Sequence, residues 1–354
     1  MKNRIANSTA RFAVTLAIVF GGITTSVRAA DIGTANLQLP VAVQSGKPKV
    51  VGSFLARPVL LKGELAQAVV AGSLSFTATG TDTFNGYTPV TTAIAGWTGD
   101  WNLAPASDDH YVIEITSGPQ TGLIKRVTAF SGSQATVEGG LPVLDAGTRF
   151  VLRKDTTLAS IFGDQTSATA SGITAGSSAG SSDQFGIFDA NGKLVRFFLR
   201  SGAGWKESSD RLGVNRNHVR VSMGTAVLMT PVTTKTIYLN GEYRGTRSKI
   251  TVSAVNSFLA NPYPVAVSLA NSALATYVTK GSSAGSSDEI RFMENGKFVN
   301  YFANASSDFR LSSNRTGPSQ ATKEIPAGEG FAFKKVGTAS VSRDVAWAPQ
   351  YLAQ

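Results

Sequence analysis

The chain is predicted to be an all-β protein, built as tandem β-sandwich or partly open β-barrel units with a few short helices. Three observations predict it. Apolar runs are short and broken by Gly, Ser, Thr, Asn and Pro, as in YVIEI at 111–115, GLIKRVTAF at 122–130, RFVL at 149–152 and AVLM at 226–229; many short strands read this way. Long amphipathic helical windows are missing. An eight-residue motif occurs twice, each time ahead of a hairpin-like segment.

YVIEI alternates Tyr111, Ile113 and Ile115 with Val112 and Glu114. A period of two buries one face of a strand and leaves the other wetter. The SGPQTG that follows is a turn cluster, so 111–115 and 122–130 are expected to pair. Two short helices are expected, at DTTLASIF (155–162), with Asp155 or Thr156 as cap and Gly163 as stop, and near NSALATYV (271–278).

The repeated motif is GSSAGSSD, at 176–183 and 281–288. QFGIFDANGKLVRFF after the first copy answers EIRFMENGKFVNYF after the second. The second copy is one residue shorter at the turn, and from there an offset of 104 holds without a gap. Leu194 then answers Phe298, Trp205 answers Phe309, Lys206 answers Arg310, Arg211 answers Arg315, and Gly224 answers Gly328. Both copies place Asn-Gly between apolar runs, at 191–192 and 295–296, and that dipeptide tolerates the positive φ angles of a tight hairpin. FLARP at 54–58 is echoed by FLANP at 258–262, and AGTRFVLRK at 146–154 by AGEGFAFKK at 327–335. The expected organisation is an amino-terminal signal over 1–29, a β domain over 30–154, and two repeat units over 155–254 and 255–354.

Lys2, Arg4 and Arg11 precede the apolar run FAVTLAIVFGGI at 12–23, and Val27-Arg28-Ala29 ends the segment. This three-part build is that of a secretory signal cut after Ala29. The run is too short for a membrane span of roughly 20 residues, and no later segment is apolar enough to span as a helix. Localisation is therefore expected to be secreted, at the cell surface or periplasmic. Of the 33 basic residues the signal holds four and of the 23 acidic residues none, so the remaining chain carries 29 minus 23, or +6. That mild surplus permits an acidic polysaccharide or another envelope component as partner. The chain has no cysteine, which excludes disulfides, thiolate zinc sites and cysteine nucleophiles. An outer-membrane barrel is disfavoured, because the strands are short and the end WAPQYLAQ lacks a terminal aromatic strand.

The EITSGPQTG segment at 114–122, the LASIFG helix, GSSAGSSD and NPYP at 261–264 together resemble an uncharacterised family of secreted, repeat-containing bacterial β-proteins. The resemblance covers the chain from about His110 onward. It implies export and β architecture and brings no activity; Ala260 stands where that family has Gly before NPYP.

No catalytic or metal residues and no cofactor are assigned. GSSAG matches the nucleophile-elbow spacing at Ser178 and Ser283, but a strand follows rather than a helix, and no histidine lies beyond the second copy. His218 has Thr322 as its counterpart. Asp108, Asp109 and His110 lack a second ligand cluster, and DANG at 189–192 lacks the remaining ligands of a calcium loop. Arg211, Arg216, Arg220, Arg244, Arg247 and Lys249 form the densest basic stretch, with Tyr243 among them; nucleic acid is not expected for an exported protein, and solvated strand faces are the default. The candidate ligand-binding residues are those whose chemistry both copies share: Asp183, Trp205, Lys206 and Arg211 in the first, Asp288, Phe309, Arg310 and Arg315 in the second. An aromatic face with a carboxylate and cations suits sugars. The competing reading makes the two aspartates braces of the Gly/Ser loop and the aromatics core. The expected function is a non-catalytic surface or matrix protein that binds polymer or structures the envelope; the alternative is a secreted polysaccharide-acting hydrolase or lyase.

Overall fold

A computed structural model describes residues 15–20, 23–28, 36–52, 56, 59–79, 110–131, 134–164, 171–189, 191–242, 248–252, 255–263, 265–337 and 343–347. Along the chain the strands are β1 (Thr15–Phe20), β2 (Ile23–Arg28), β3 (Asn36–Val43), β4 (Lys49–Gly52), β5 (Val59–Leu65), β6 (Ser75–Thr79), β7 (Tyr111–Ile115), β8 (Ile124–Ser131), β9 (Gln134–Val137) and β10 (Arg149–Lys154). Helix α1 (Leu158–Phe162) leads to β11 (Gln184–Phe188), β12 (Leu194–Arg200), β13 (Gly204–Glu207), β14 (Ala226–Thr230) and β15 (Lys235–Glu242). Then come β16 (Ser248–Val252), β17 (Asn256–Ala260), β18 (Val267–Ser268), α2 (Leu274–Tyr277), β19 (Glu289–Glu294), β20 (Lys297–Ala303), β21 (Phe309–Leu311), β22 (Glu324–Ile325), β23 (Gly330–Lys334) and β24 (Arg343–Trp347). The fold is mostly β, as the short broken runs require. No described helix is long and apolar enough to cross a membrane.

Residues 1–36 form one compact unit, in which β1 and β2 pair as an antiparallel hairpin. The rest forms the second unit. Ala29, the expected cleavage point, lies outside the described residues, as do Asp108, Asp109, Tyr243, Arg244, Arg247, most of FLARP and the carboxy-terminal APQYLAQ.

Within the second unit, β5 to β10 close an antiparallel barrel in the order β10-β5-β6-β9-β8-β7. Its interior is filled: Phe76 meets Phe150 edge to face at 5.3 Å, among Ile113, Ile115, Val127 and Leu152. The expected hairpin of β7 with β8 is present, pairing Val112 with Arg126 and Glu114 with Ile124. Its expected wet face is not, since all five residues of YVIEI are buried. Val112 packs on Ala56 and Met223 outside the barrel, and Glu114 is covered in an ion pair with Arg153 at 3.1 Å. Both faces of β7 thus have partners, which alternation within one strand cannot reveal.

Two five-stranded sheets follow, in the orders β13-β12-β11-β14-β4 and β21-β20-β19-β23-β17. Each is flanked by a two-stranded ribbon, β3 with β15 and β16 with β24. Strand for strand the two sets have the same connections. Asn295-Gly296 closes β19–β20 with both residues at positive φ (48° and 79°). At the longer turn of β11–β12, Asp189 Oδ1 accepts from the N–H groups of Asn191 and Lys193, both at 2.9 Å, so the extra residue is absorbed by a side chain folding back on the turn.

The boundary expected at Lys154 is therefore corrected. β3 and β4 do not belong with the barrel: β4 pairs with β14, Gly52 opposite Ala226, as β17 pairs with β23, Ala260 opposite Gly330. In the second set six residues, 261–266, lead from β17 to Val267, which pairs with Ile325. In the first, residues 53–155 lead from β4 to Thr156, whose carbonyl accepts from Val221 N–H at 3.0 Å. The barrel occupies a connection that is otherwise six residues long.

The two sheets meet through reciprocal contacts. Gly52 N–H donates to Gly328 O at 3.0 Å, and Ala260 N–H donates to Gly224 O at 2.9 Å. Val51 bridges to Glu329 and Leu259 bridges to Thr225. Such exchange of the same positions is the pattern of a two-fold interface. A Cβ on Gly52 would sit 2.3 Å from the Ala260 Cβ, so glycine permits the approach. Val50, Ala226, Leu228, Phe258 and Ala332 fill the seam.

Candidate functional site

In GSSAGSSD the serines close a turn on themselves. Ser178 N–H donates to Ser181 Oγ at 3.2 Å, Ser181 Oγ–H donates back to Ser178 O at 3.1 Å, and Ser182 Oγ–H donates to the same carbonyl at 2.7 Å. Ser283, Ser286 and Ser287 make the same bonds at 3.2, 3.1 and 2.6 Å. A Cβ on Gly176 or Gly281 would lie 2.5 Å from the hydroxyl oxygen of Ser181 or Ser286. Gly176 and Gly281 and three serines of each motif are explained by this turn, which also accounts for Ser178 and Ser283 without a nucleophile's role.

The motif ends on a fully buried carboxylate in both copies. Asp183 accepts from Thr174 N–H at 2.8 Å and Val232 N–H at 3.0 Å, and is paired with Lys235. Asp288 accepts from Thr279 N–H and Val336 N–H, each at 2.7 Å. Each aspartate ties the Gly/Ser loop to the turn just beyond the closing strand, β14 or β23.

The expected sugar-facing aromatics are core residues. Trp205 is 0 % exposed and Phe309 1 %. Trp205 lies edge to face on Phe185 at 4.9 Å, and its indole N–H donates to Gly163 O at 2.8 Å. The cations after them are also spent internally. Lys206 Nζ donates to Gly213 O at 2.6 Å, and Arg310 donates to Gly317 O and pairs with Asp308 at 2.6 Å. Arg211 and Arg315 alone among the eight are exposed. In each set the aspartate, the aromatic residue and the following cation thus serve the interior, each with its own partners, and only the arginine faces solvent. The correction is physical: residue types common to the two sheets are also those that a buried core and its polar braces require.

Asp155, fully buried, receives Arg220 Nη2 at 2.7 Å, Ser222 Oγ at 3.1 Å and Thr156 N–H at 2.9 Å. The cap of α1 is accordingly Thr157, in a reciprocal box with Ser160. Beside this cluster His110 Nε2 lies 3.2 Å from His218 O. Burial, then the Arg220 guanidinium, hold the His110 imidazole below its ordinary pKa. Of the remaining basic stretch, Arg216 faces Glu207 at 3.7 Å and Lys249 reaches Gln120 at 2.6 Å. Among the described residues no three His, Asp or Glu side chains gather as metal ligands would.

A concave feature lies at the seam between β4 and β19, a half-open cleft of about 120 Å³. Val50, Phe292 and Met293 form its apolar wall. Two ion pairs rim it, Lys49 with Glu329 and Lys323 with Glu294, both at 2.6 Å with side chains about 30 % exposed. Lys323 Nζ also stands 5.3 Å from the centre of the Phe292 ring, and Tyr301 O–H donates to Glu294 at 3.0 Å. Burial alone would raise the Glu294 carboxyl, but the bonds from Lys323 and Tyr301 outweigh it and hold it low. Burial and then Glu294 push the Tyr301 phenol up to about 12.

These ion pairs are peculiar to this side of the seam, since among the described residues the other side has no matching pairs. Lys323 answers Val219 and Glu329 answers Thr225 at the offset of 104, and Glu294 answers the turn residue Asp189. A difference between copies was the signal. Comparison of the chain with family models, curated proteins and solved structures found no match.

Proposed function

We propose that the protein is a non-catalytic surface or matrix component, exported through its amino-terminal segment, that binds polymer or helps structure the envelope. One observation carries the reading. The polar and aromatic groups common to the two sheets, Arg211 and Arg315 apart, are consumed as braces, whereas an open, charged cleft lies on the seam where β4 meets β19, and its ion pairs have no counterpart among the described residues of the other half. We infer further that the two sheets descend from one duplicated unit and that the barrel was inserted into the first copy; the matching strand orders and reciprocal contacts support this. A duplicated, cross-braced β scaffold suits a load-bearing or displaying role. The resemblance to secreted bacterial β-proteins points the same way.

Cell fractionation with a carbonate wash, together with a glycan-binding and glycan-hydrolysis screen, tests this. Surface or extracellular protein that starts after Ala29 and retains a glycan without cleaving it is the expected result. Turnover of any glycan, or an intact Met1 on cytoplasmic protein, would overturn it.

A further inference from the structure

The geometry points to the seam cleft as a subsite for one neutral pyranose ring of a glycan, a proposal that rests on the polymer-binding reading above. Its counterpart in the other half identifies the shape. There Phe188 and Phe258 stack at 4.5 Å with planes 25° apart and close the seam. Here the matching positions are Met293 and Val50, since Asp183 aligns with Asp288 and Gly52 with Ala260. Two rings are replaced by two slimmer aliphatic side chains, and a cleft remains where a ring would lie. At about 120 Å³ it is smaller than the ~150 Å³ closed cavity that admits benzene, so it takes one face of a pyranose and leaves the rest of the ring in solvent.

The rim identifies the polarity. A pyranose presents an apolar C–H face and an edge of adjacent hydroxyls, each both donor and acceptor. Val50 and Met293 offer the apolar wall, while the Lys49–Glu329 and Lys323–Glu294 pairs set ammonium donors beside carboxylate acceptors at the mouth. None of these four charges has an equivalent ion pair in the half whose seam is closed by stacked rings. Three carboxylates (Glu294, Glu324, Glu329) face two ammonium groups (Lys49, Lys323), a balance of −1. That balance disfavours a uronate and selects a neutral sugar.

The test titrates the full chain with neutral tetrasaccharides of glucose, mannose and N-acetylglucosamine, and with tetragalacturonate, by calorimetry and saturation-transfer NMR. At least one neutral sugar should bind. The V50F/M293F double variant rebuilds the ring pair that the other half already accommodates, and should lower affinity by about tenfold or more while the melting temperature holds. Lys323→Met should lower it as well. Equal binding by parent and V50F/M293F would overturn the subsite and leave the polymer-binding reading standing, as would binding of tetragalacturonate alone. Binding of no glycan at all would overturn both. Should V50F/M293F fail to fold, Lys323→Met and Glu329→Gln on the exposed rim decide the matter: unchanged affinity in both overturns the proposal.

Discussion

Asp183→Ala removes the carboxylate that joins three parts of the first sheet set. Two partly buried N–H groups, of Thr174 and Val232, lose their acceptor, and Lys235 loses its counter-charge. Hydrogen bonds to a charged group contribute about 1.5–3 kcal/mol each, and breaking a buried ion pair costs about 3–5 kcal/mol. These figures overlap rather than add, because Lys235 can turn toward water from a site that is 16 % exposed. A loss of about 3–5 kcal/mol is expected. For a unit this large, roughly 2 °C per kcal/mol then gives a fall in melting temperature of about 6–10 °C. Asp183→Asn keeps one acceptor oxygen and should fall between. Asp288→Ala leaves Thr279 and Val336 N–H groups in the same position and should cost a similar amount. Thermal and urea unfolding followed by far-UV circular dichroism would measure all three. A shift below about 2 °C for Asp183→Ala would refute the bracing role.

Further outcomes follow from the same geometry. Gly52→Val should weaken the seam by about 1–3 kcal/mol, since the Ala260 and Ala226 Cβ atoms stand 2.3 and 2.8 Å from the new carbon; Gly180→Ala, with nothing within 4 Å, should be close to neutral in the same melts. His110 is held below its ordinary pKa, so the unfolded chain takes up the proton first as pH falls below about 6.5. Stability should therefore decline from that pH downward, and melting curves between about pH 5 and 8 should be flatter for His110→Gln; an identical slope would remove His110 from the account. Tyr301 should ionise at about 12, after ordinary tyrosines near 10, and earlier in Glu294→Gln; its raised value also means stability is lost above about pH 10. Phenolate absorbance during an alkaline titration reads both.

Local chemistry was legible in the sequence. Asn191-Gly192 and Asn295-Gly296 close hairpins, Gly163 stops α1, and the turn cluster after Ile115 joins β7 to β8, because each depends on neighbours a few residues away. Partnership was not. Nothing in KVVG at 49–52 says that its partner is β14 rather than the barrel strands that follow it directly. The candidate site failed for a related reason. Trp205 with Lys206 has the residue types of a sugar site, yet those types serve equally well when the indole N–H finds Gly163 O and the ammonium finds Gly213 O. Only burial separates the two uses, and burial is a property of the whole sheet set. The cleft residues were hidden because Lys49 reaches the site from the opposite sheet, far from Glu329 in sequence.

The barrel's place within the first sheet set also governs the order in which the chain can fold. Gly52 and Ala226 are 174 residues apart (226 − 52), whereas Ala260 and Gly330 are 70 apart (330 − 260). As an open chain the longer closure costs about 0.8 kcal/mol more in entropy, from the 3/2 RT ln n dependence, and contacts of high separation form slowly. A barrel that closes first draws its own two ends together, since β5 and β10 are neighbours in it. It then shortens the path from β4 to β14 to something nearer that of the second set. Emerging in order from the ribosome, β4 would wait unpaired until the barrel and then β14 follow, while β17 and β23 find each other locally. A refolding trace should therefore hold a slow phase owned by the first set. That phase should vanish when residues 53–155 give way to a six-residue link.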